Sequence, residues 1–454
     1  MAVQASEIAE LKRRVADLEE RLGRTPRNSS MPPSTEGFTK PPSPSRAERR
    51  AAQRKQGKQP GAPGKHLAQV AEPDSVVTHA PNSCEGCGGD LSRAEVVDTE
   101  RRQVFDLPEI RLLVTEHVAE RRRCTCGCTT KATFPAAATA PAVYGPGIRA
   151  LATYLAVHQH LPFDRMAQLF SDVLGQEVSV GALAQMVAEA AEATGPFTDR
   201  VRELLADAGV VHFDETGARV VGSLHWVHSA STAFLTLLEC NKKRGRVAMD
   251  AMGILTAMSG VAVHDGWKPY RSYDVTHGLC NAHHLRELIA VGIGWDQGWA
   301  NALADLLREA KHKTEIARDA GHRRLDAATL QSIRIRYGIL VAKGFAANPE
   351  PETGKRSGYD KKSYNLLVRL DQHRDDVLRF CVDFKVPFDN NQAERDIRMV
   401  KLQQKISGSW RTLAGAQNFC AIRSYISTLR KQDHNALAGL QMLFEGQVWL
   451  PART

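Results

Sequence analysis

Two apolar runs in the middle of the chain each lead straight into an aspartate, and this pairing restricts the possible folds more than any other feature. Gly209-Val210-Val211-His212-Phe213 runs into Asp214, and Gly260-Val261-Ala262-Val263-His264 runs into Asp265. Each run reads as a buried strand with a carboxylate at its end. If the two strands are neighbours, both carboxylates meet at one sheet edge. Like charges that close are costly unless a cation neutralises them. Hard oxygen ligands of this kind suit Mg2+ or Mn2+.

The 51 positions from Asp214 to Asp265 contain strand signals at Trp226 to Ser229 and Phe234 to Leu238, with room for a helix around Asp250. Three strands, a helix and a fourth strand, with acids ending the first and fourth strands, is the order an RNase H-like core requires. A third acid is then expected on a later helix, and Asn390-Asn391-Gln392-Ala393-Glu394-Arg395-Asp396-Ile397-Arg398 supplies it. Ala393, Ile397 and Val400 form a buried stripe there, with Glu394 at its edge. Arg395, Arg398, Lys401 and Lys405 surround it with positive charge, which suits a phosphate-rich substrate. Two metal ions held by three carboxylates activate water or a 3′-hydroxyl and stabilise the departing oxygen of a phosphodiester. Taken singly, each acid also fits a loop cap.

Nine cysteines are present, five of them in two short clusters. That distribution points to metal binding in a reducing cytoplasm rather than to a disulfide framework. Cys84-x-x-Cys87-Gly88 and Cys124-x-Cys126-Gly127 offer four thiolates in two knuckles, the natural set for a structural, tetrahedral Zn2+. Cys128 is a possible replacement for Cys124 or Cys126. Arg121, Arg122 and Arg123 adjoin the second knuckle and favour DNA contact. Ile110, Leu112, Val114 and Val118 alternate as a strand would between the clusters. Cys240, Cys381 and Cys420 read as buried small apolar residues.

The formal net charge is +9, and most of it is concentrated in one place. Between Lys40 and Lys65 eight Lys or Arg face one acid, Glu48, in a Pro-, Gly- and Gln-rich stretch. Such a segment reads as a disordered basic arm, with Arg49, Arg50, Arg54 and Lys55 directed at the DNA backbone, or as a solvated linker. Before it, Ile8, Leu11, Val15, Leu18 and Leu22 form a short a/d seam, either a zipper or a lone amphipathic helix. The N-terminus has no secretory apolar segment, and no run of about 18 apolar residues exists to span a membrane.

The expected organisation is a multidomain α/β chain. A zipper-like helix (1–23) precedes the basic arm (24–73), a zinc-ribbon domain (74–135) and a helical module (140–200). The RNase H-like mixed-sheet core follows (205–410), with a helical insertion (284–386), and then a C-terminal helical segment (411–454). In the helical module, Ile148, Leu151 and Leu155 mark a first helix, Phe163 to Leu174 a second, and Ser179 caps a third. Three short helices with tight breaks fit a helix-turn-helix that reads DNA, and equally any small bundle.

Four blocks carry a family resemblance. Asp214-Glu215-Thr216, Asp265-Gly266-Trp267-x-x-Tyr270, Cys280-Asn281-Ala282-His283 and Asn391-x-x-Glu394-Arg395 resemble, in that order, blocks of insertion-sequence-66 family transposases. Asn28-Ser29-Ser30-x-Pro32-Pro33-Ser34, Tyr144-Gly145 and Leu161-Pro162-x-x-Arg165 are similar to further family segments. Gln59-Pro60-Gly61 departs slightly, because Ala62 stands where His is commoner. After His283 the chain reads His284-Leu285-Arg286, another departure that leaves the triad untouched. The resemblance implies a DDE transposase with Asp214, Asp265 and Glu394 catalytic. It also implies a zinc finger and partners that include the element's terminal repeats and target DNA, a second copy of the chain, and accessory proteins. Cys280 and His283 either brace the core or orient the scissile strand, as the resemblance implies, or are a core thiol beside an incidental imidazole. The rival readings are a non-catalytic DNA-binding repressor, which would lack one of the acids, and a nuclease that cuts without joining.

Overall fold

The computed structural model describes residues 67–294, 297–350 and 358–453. They form two compact units, 67–113 and 114–453. The zipper-like helix, and the basic arm as far as residue 66 with Arg49, Arg50, Arg54 and Lys55, lie outside the described residues.

In the first unit the backbone is tied by turns and by side chains standing in for strand partners. Val70 N–H donates to Gln103 Oε1 (2.7 Å), and Gln103 Nε2 donates back to the Val70 carbonyl (2.8 Å). Ser83 and Asp90 form an isolated antiparallel bridge around the first cysteine pair. The second unit begins with a hairpin, β1 (Arg121–Arg123) and β2 (Thr129–Lys131), whose turn holds the second cluster. The alternation at Ile110, Leu112, Val114 and Val118 does not become a strand, and Val114 and Val118 are exposed. Alternation yields a strand only where something covers one face.

Four helices follow: α1 (Pro146–Val157), α2 (Phe163–Leu174), α3 (Val180–Ala193) and α4 (Gly195–Ala206). Ser179 Oγ caps α3 by accepting the Ala182 amide (3.1 Å). The mixed sheet comprises β3 (Val210–Val220), β4 (Ser223–Ser231), β5 (Thr236–Asn241), β6 (Val261–His264) and β7 (Thr276–Leu279), with α5 (Arg246–Met252) between β5 and β6. The spatial order is β5-β4-β3-β6-β7; the first three are antiparallel, β6 runs parallel to β3, and β7 runs parallel to β6. One expectation needs correcting, because β3 does not end at Asp214. It continues to Val220, since β4 lies beside it from His212↔Ser231 to Val220↔Ser223.

Between β7 and the Glu394 helix lies the insertion: α6 (Asn281–Gly294), α7 (Gly298–Asp319), α8 (Ala327–Ala347), α9 (Gly358–Gln372), α10 (Arg374–Val377) and α11 (Arg379–Val382). It has its own apolar centre, with Leu303, Leu307, Tyr337 and Leu367 buried together. The chain then forms α12 (Asn391–Ser407), α13 (Leu413–Lys431) and α14 (Ala436–Phe444). On α13, Ser424 Oγ and Thr428 Oγ1 accept the Leu238 and Thr236 amides of β5 (2.8 and 3.1 Å), so a helix closes what would be an open sheet edge. Ala150, Val157, Val187 and Ala190 of the helical module share one core with Val211 and Leu237 of the sheet, so α1 and α3 pack as part of the sheet unit. Cys240, Cys381 and Cys420 are buried, as expected. No helix among the described residues is long and apolar enough to cross a membrane.

Candidate active site and cysteine knuckles

The parallel pairing of β3 and β6 runs through Val210↔Val261, Val211↔Ala262 and His212↔Val263. Asp214 and Asp265 therefore each lie two residues past the last paired positions, at the same end of adjacent strands. Each carboxylate accepts a nearby backbone amide, from Glu215 to Asp214 Oδ1 (2.9 Å) and from Trp267 to Asp265 Oδ1 (2.8 Å). Burial, then the negative charges of Glu215, Asp265 and Glu394, hold the Asp214 carboxyl well above the usual carboxylate range. Like charge therefore gathers around Asp214.

Glu394 arrives from the other end of the chain, in the first turn of α12. Ala393, Ile397, Val400 and Gln403 form that helix's buried stripe. Asn390, just before the helix and 1% exposed, latches it in place. Its Nδ2 donates to the Phe213 carbonyl (2.7 Å), its Oδ1 pairs with His212 Nδ1 (2.8 Å), and its amide donates to Cys280 Sγ (3.2 Å). The residue before Asp214, the residue after β7 and the Glu394 helix thus converge on a single asparagine. Sequence reading assigned Asn390 no role. An Asn before a helix reads as an N-cap, but this side chain makes no capping bond and is used on the strand. Cys280 is fully buried, and His283 Nδ1 lies 4.0 Å from Glu394 Oε1. Arg286 Nη2 lies 3.3 Å from the same oxygen. Burial, then Arg286, lowers the His283 pKa.

A fourth carboxylate, Glu215, was quoted in the sequence without a role. As Asp214's neighbour on a strand it projects to the opposite face. Its side chain is 2% exposed, receives the Tyr270 hydroxyl (2.7 Å) and is bound twice by Arg244, through Nε (3.1 Å) and Nη2 (2.7 Å). Arg244 is itself held between Trp267 and Trp226, 4.0 and 4.6 Å from the ring centroids. Burial and then Asp265 raise the Glu215 pKa, while Tyr270 and Arg244 oppose the shift.

Of the expected cations, Arg395, Arg398 and Lys405 stand exposed on α12. Lys401 instead donates to the Gly217 carbonyl of β3, so its ammonium ties helix to sheet.

Each cysteine pair builds a tight turn of its own. In the first, the Cys84 amide donates to the Gly89 carbonyl (2.8 Å) and the Gly88 amide to the Cys84 carbonyl (2.8 Å). In the second, the Cys124 amide donates to the Cys128 carbonyl (2.8 Å) and the Gly127 amide to the Cys124 carbonyl (2.9 Å). Both turns need a left-handed residue, which Gly88 (φ 74°) and Gly127 (φ 90°) supply. The Cys87 and Gly86 amides hold the Cys84 thiol below its ordinary range, and the Cys126 amide does the same for Cys124. Amides aimed at sulfur favour thiolate, the metal-binding form.

The mixed sheet thus carries acids near one end, and each cysteine pair closes a turn of its own. The family model for IS66 family transposases matches residues 141–418, more than half of the chain, and the chain belongs to that family. The zinc-finger binding domain of transposase IS66 matches residues 81–127, and a family of unknown function matches residues 2–68. No curated protein matches the chain.

Proposed function

We propose that this transposase cuts and joins DNA on an RNase H-like core, with Asp214, Asp265 and Glu394 as its metal-binding triad. The observation that carries the reading is the convergence at Asn390, which ties the Glu394 helix to the strand bearing Asp214. The donor set fits Mg2+ or Mn2+, because hard oxygens come from three separate elements and crowd into mutual repulsion around Asp214. When bound, such cations would activate water or a 3′-hydroxyl and stabilise the departing oxygen.

The chain's own residues do the positioning. The Glu215 and Trp267 amides orient the two aspartates before substrate arrives. Arg286 pairs with Glu394 and steadies its carboxylate. Arg395, Arg398 and Lys405 grip DNA phosphates, together with Arg49, Arg50, Arg54 and Lys55 of the basic arm. Lys401 contributes by fixing α12 rather than by touching DNA.

Cys84, Cys87, Cys124 and Cys126 are the proposed structural zinc ligands. The matched finger (81–127) includes all four and stops short of Cys128. The proposed domain order is zipper-like helix, arm, finger, helical module, core with insertion and C-terminal helices. Its DNA partners are the element's terminal repeats and the target, bound by more than one copy of the chain with accessory proteins of the element.

The test uses a labelled element end and a target duplex in Mg2+. The unaltered protein should nick the end and join it to the target, and Glu394→Gln should do neither while still binding the end. Full activity of Glu394→Gln would remove Glu394 from the triad. Nicking without joining by the unaltered protein would make it a nuclease.

A further inference from the structure

Cys280, His283 and Glu394 place one sulfur, one nitrogen and one oxygen donor within 4.8 Å of one another. The sulfur already has work to do, because Cys280 is fully buried and Sγ accepts the Asn390 amide that anchors α12. The carboxylate belongs to the proposed triad. The imidazole is different. His283 Nδ1 is a buried atom with no hydrogen-bond partner, 4.0 Å from Glu394 Oε1. An unpaired buried polar atom is destabilising, so its persistence beside a carboxylate needs a reason.

The backbone shows why the ring sits there. His283 lies in the first turn of α6, three residues after Cys280, and its amide donates to the Cys280 carbonyl (3.2 Å). β7 pairs with β6, which leads into Asp265, so the turn carrying His283 begins beside the acid-bearing strand. Asp265 and Glu394 are both among the charges that act on the ring. Arg286 reaches the same Glu394 oxygen, and that is the contact a cation must share or displace.

We propose that His283 Nδ1 is a direct ligand of the divalent cation held by Glu394, which makes the site a mixed oxygen and nitrogen set. The inference rests on the triad reading and adds a prediction that three carboxylates alone do not make. Imidazole donors raise affinity for Mn2+ relative to Mg2+, so His283 biases the metal preference of the site. Cys280 acts one step back, holding Asn390 and through it the helix that presents Glu394.

The experiment is pulsed electron paramagnetic resonance on the full-length, zinc-loaded protein with Mn2+ added. A strong coupling to one directly bound nitrogen is expected. It should change in the unmutated protein when histidine carries the heavier nitrogen isotope, and vanish in His283→Ala and His283→Asn while Mn2+ stays bound. The Mn2+-to-Mg2+ affinity ratio should fall in the same variants. A bound Mn2+ without that coupling, or a coupling that survives loss of the imidazole, overturns the proposal but leaves the triad intact. Mn2+ binding that is indifferent to both Asp265→Asn and Glu394→Gln overturns the triad itself. The two failures are therefore distinguishable.

Discussion

The cysteine segment and the sheet domain solve opposite problems. No described side chain from 67 to 149 is buried, and Val97 is 94% exposed. From Ala150 onward, large side chains such as Phe197, Tyr270 and Tyr425 are enclosed. A stretch with no apolar interior needs cross-links, which the proposed zinc would supply. A domain with a full core does not, and can carry groups that oppose folding, as the crowded carboxylates around Asp214 do. Metal ligands should therefore contribute structure in one region and chemistry in the other.

The sharpest break in this comparison is expected at the triad. Asp265→Asn should lower strand cleavage and joining by several orders of magnitude, at roughly tenfold per 1.4 kcal/mol of lost stabilisation. DNA binding should persist, and Tm without added Mg2+ should be unchanged or higher. A large fall in that Tm would mean that the acid holds the fold together, as a cysteine ligand would.

Next comes the zinc. Elemental analysis should find about one Zn per chain, lost in Cys84→Ser/Cys87→Ser. Limited proteolysis of that variant should then cut within 74–135 and leave the sheet domain resistant. Retention of full zinc by the double variant would put the metal elsewhere.

The converse experiment is smaller. Phe197 is fully buried and packs edge-on against Tyr425, with ring centroids 4.9 Å apart. Phe197→Ala should cost about 3–5 kcal/mol in denaturant unfolding of the sheet domain. Zinc content should not change. Loss of zinc in this variant would join two regions that the comparison separates.

The mildest effect is an acid sensitivity of the sheet domain. Burial, then Arg423, depresses the His158 and His160 pKa values to about 4. His158 pairs with both Arg423 and Arg430, and both ring nitrogens of buried His160 lack partners. A histidine whose pKa falls on folding is fully compatible with the fold above its unfolded value, near 6.5. The stability is lost as pH drops from there towards 4, because the unfolded chain takes up the proton first. Tm of the sheet domain should decline across that window, and His160→Gln should flatten the decline. An unchanged slope would remove His160 as the cause.

Much of this protein was legible along the chain because the signals are local. Strands running into Asp214 and Asp265 follow from apolar runs, and the α3 boundary follows from the Ser179 cap. The cysteine knuckles follow from spacing and two glycines, and the stripe that sets Glu394 at a helix edge follows from helical periodicity. Local covalent geometry imposes these patterns within a few residues, so one sequence suffices to read them.

Only the tertiary structure decided what joins the pieces. Asn390 meets Phe213 from 177 positions away, a distance no periodicity spans. The continuation of β3 to Val220 depends on β4 lying beside it, and Lys401 turns inward because the β3 carbonyl at Gly217 lies within reach. Glu215 is one position from Asp214, yet strand alternation sends it to Tyr270 and Arg244 on the other face. The unpartnered His283 nitrogen is likewise visible only once Glu394 lies against it. A buried polar group takes its role from whichever partner burial leaves within hydrogen-bonding reach, and chain order does not record that neighbour.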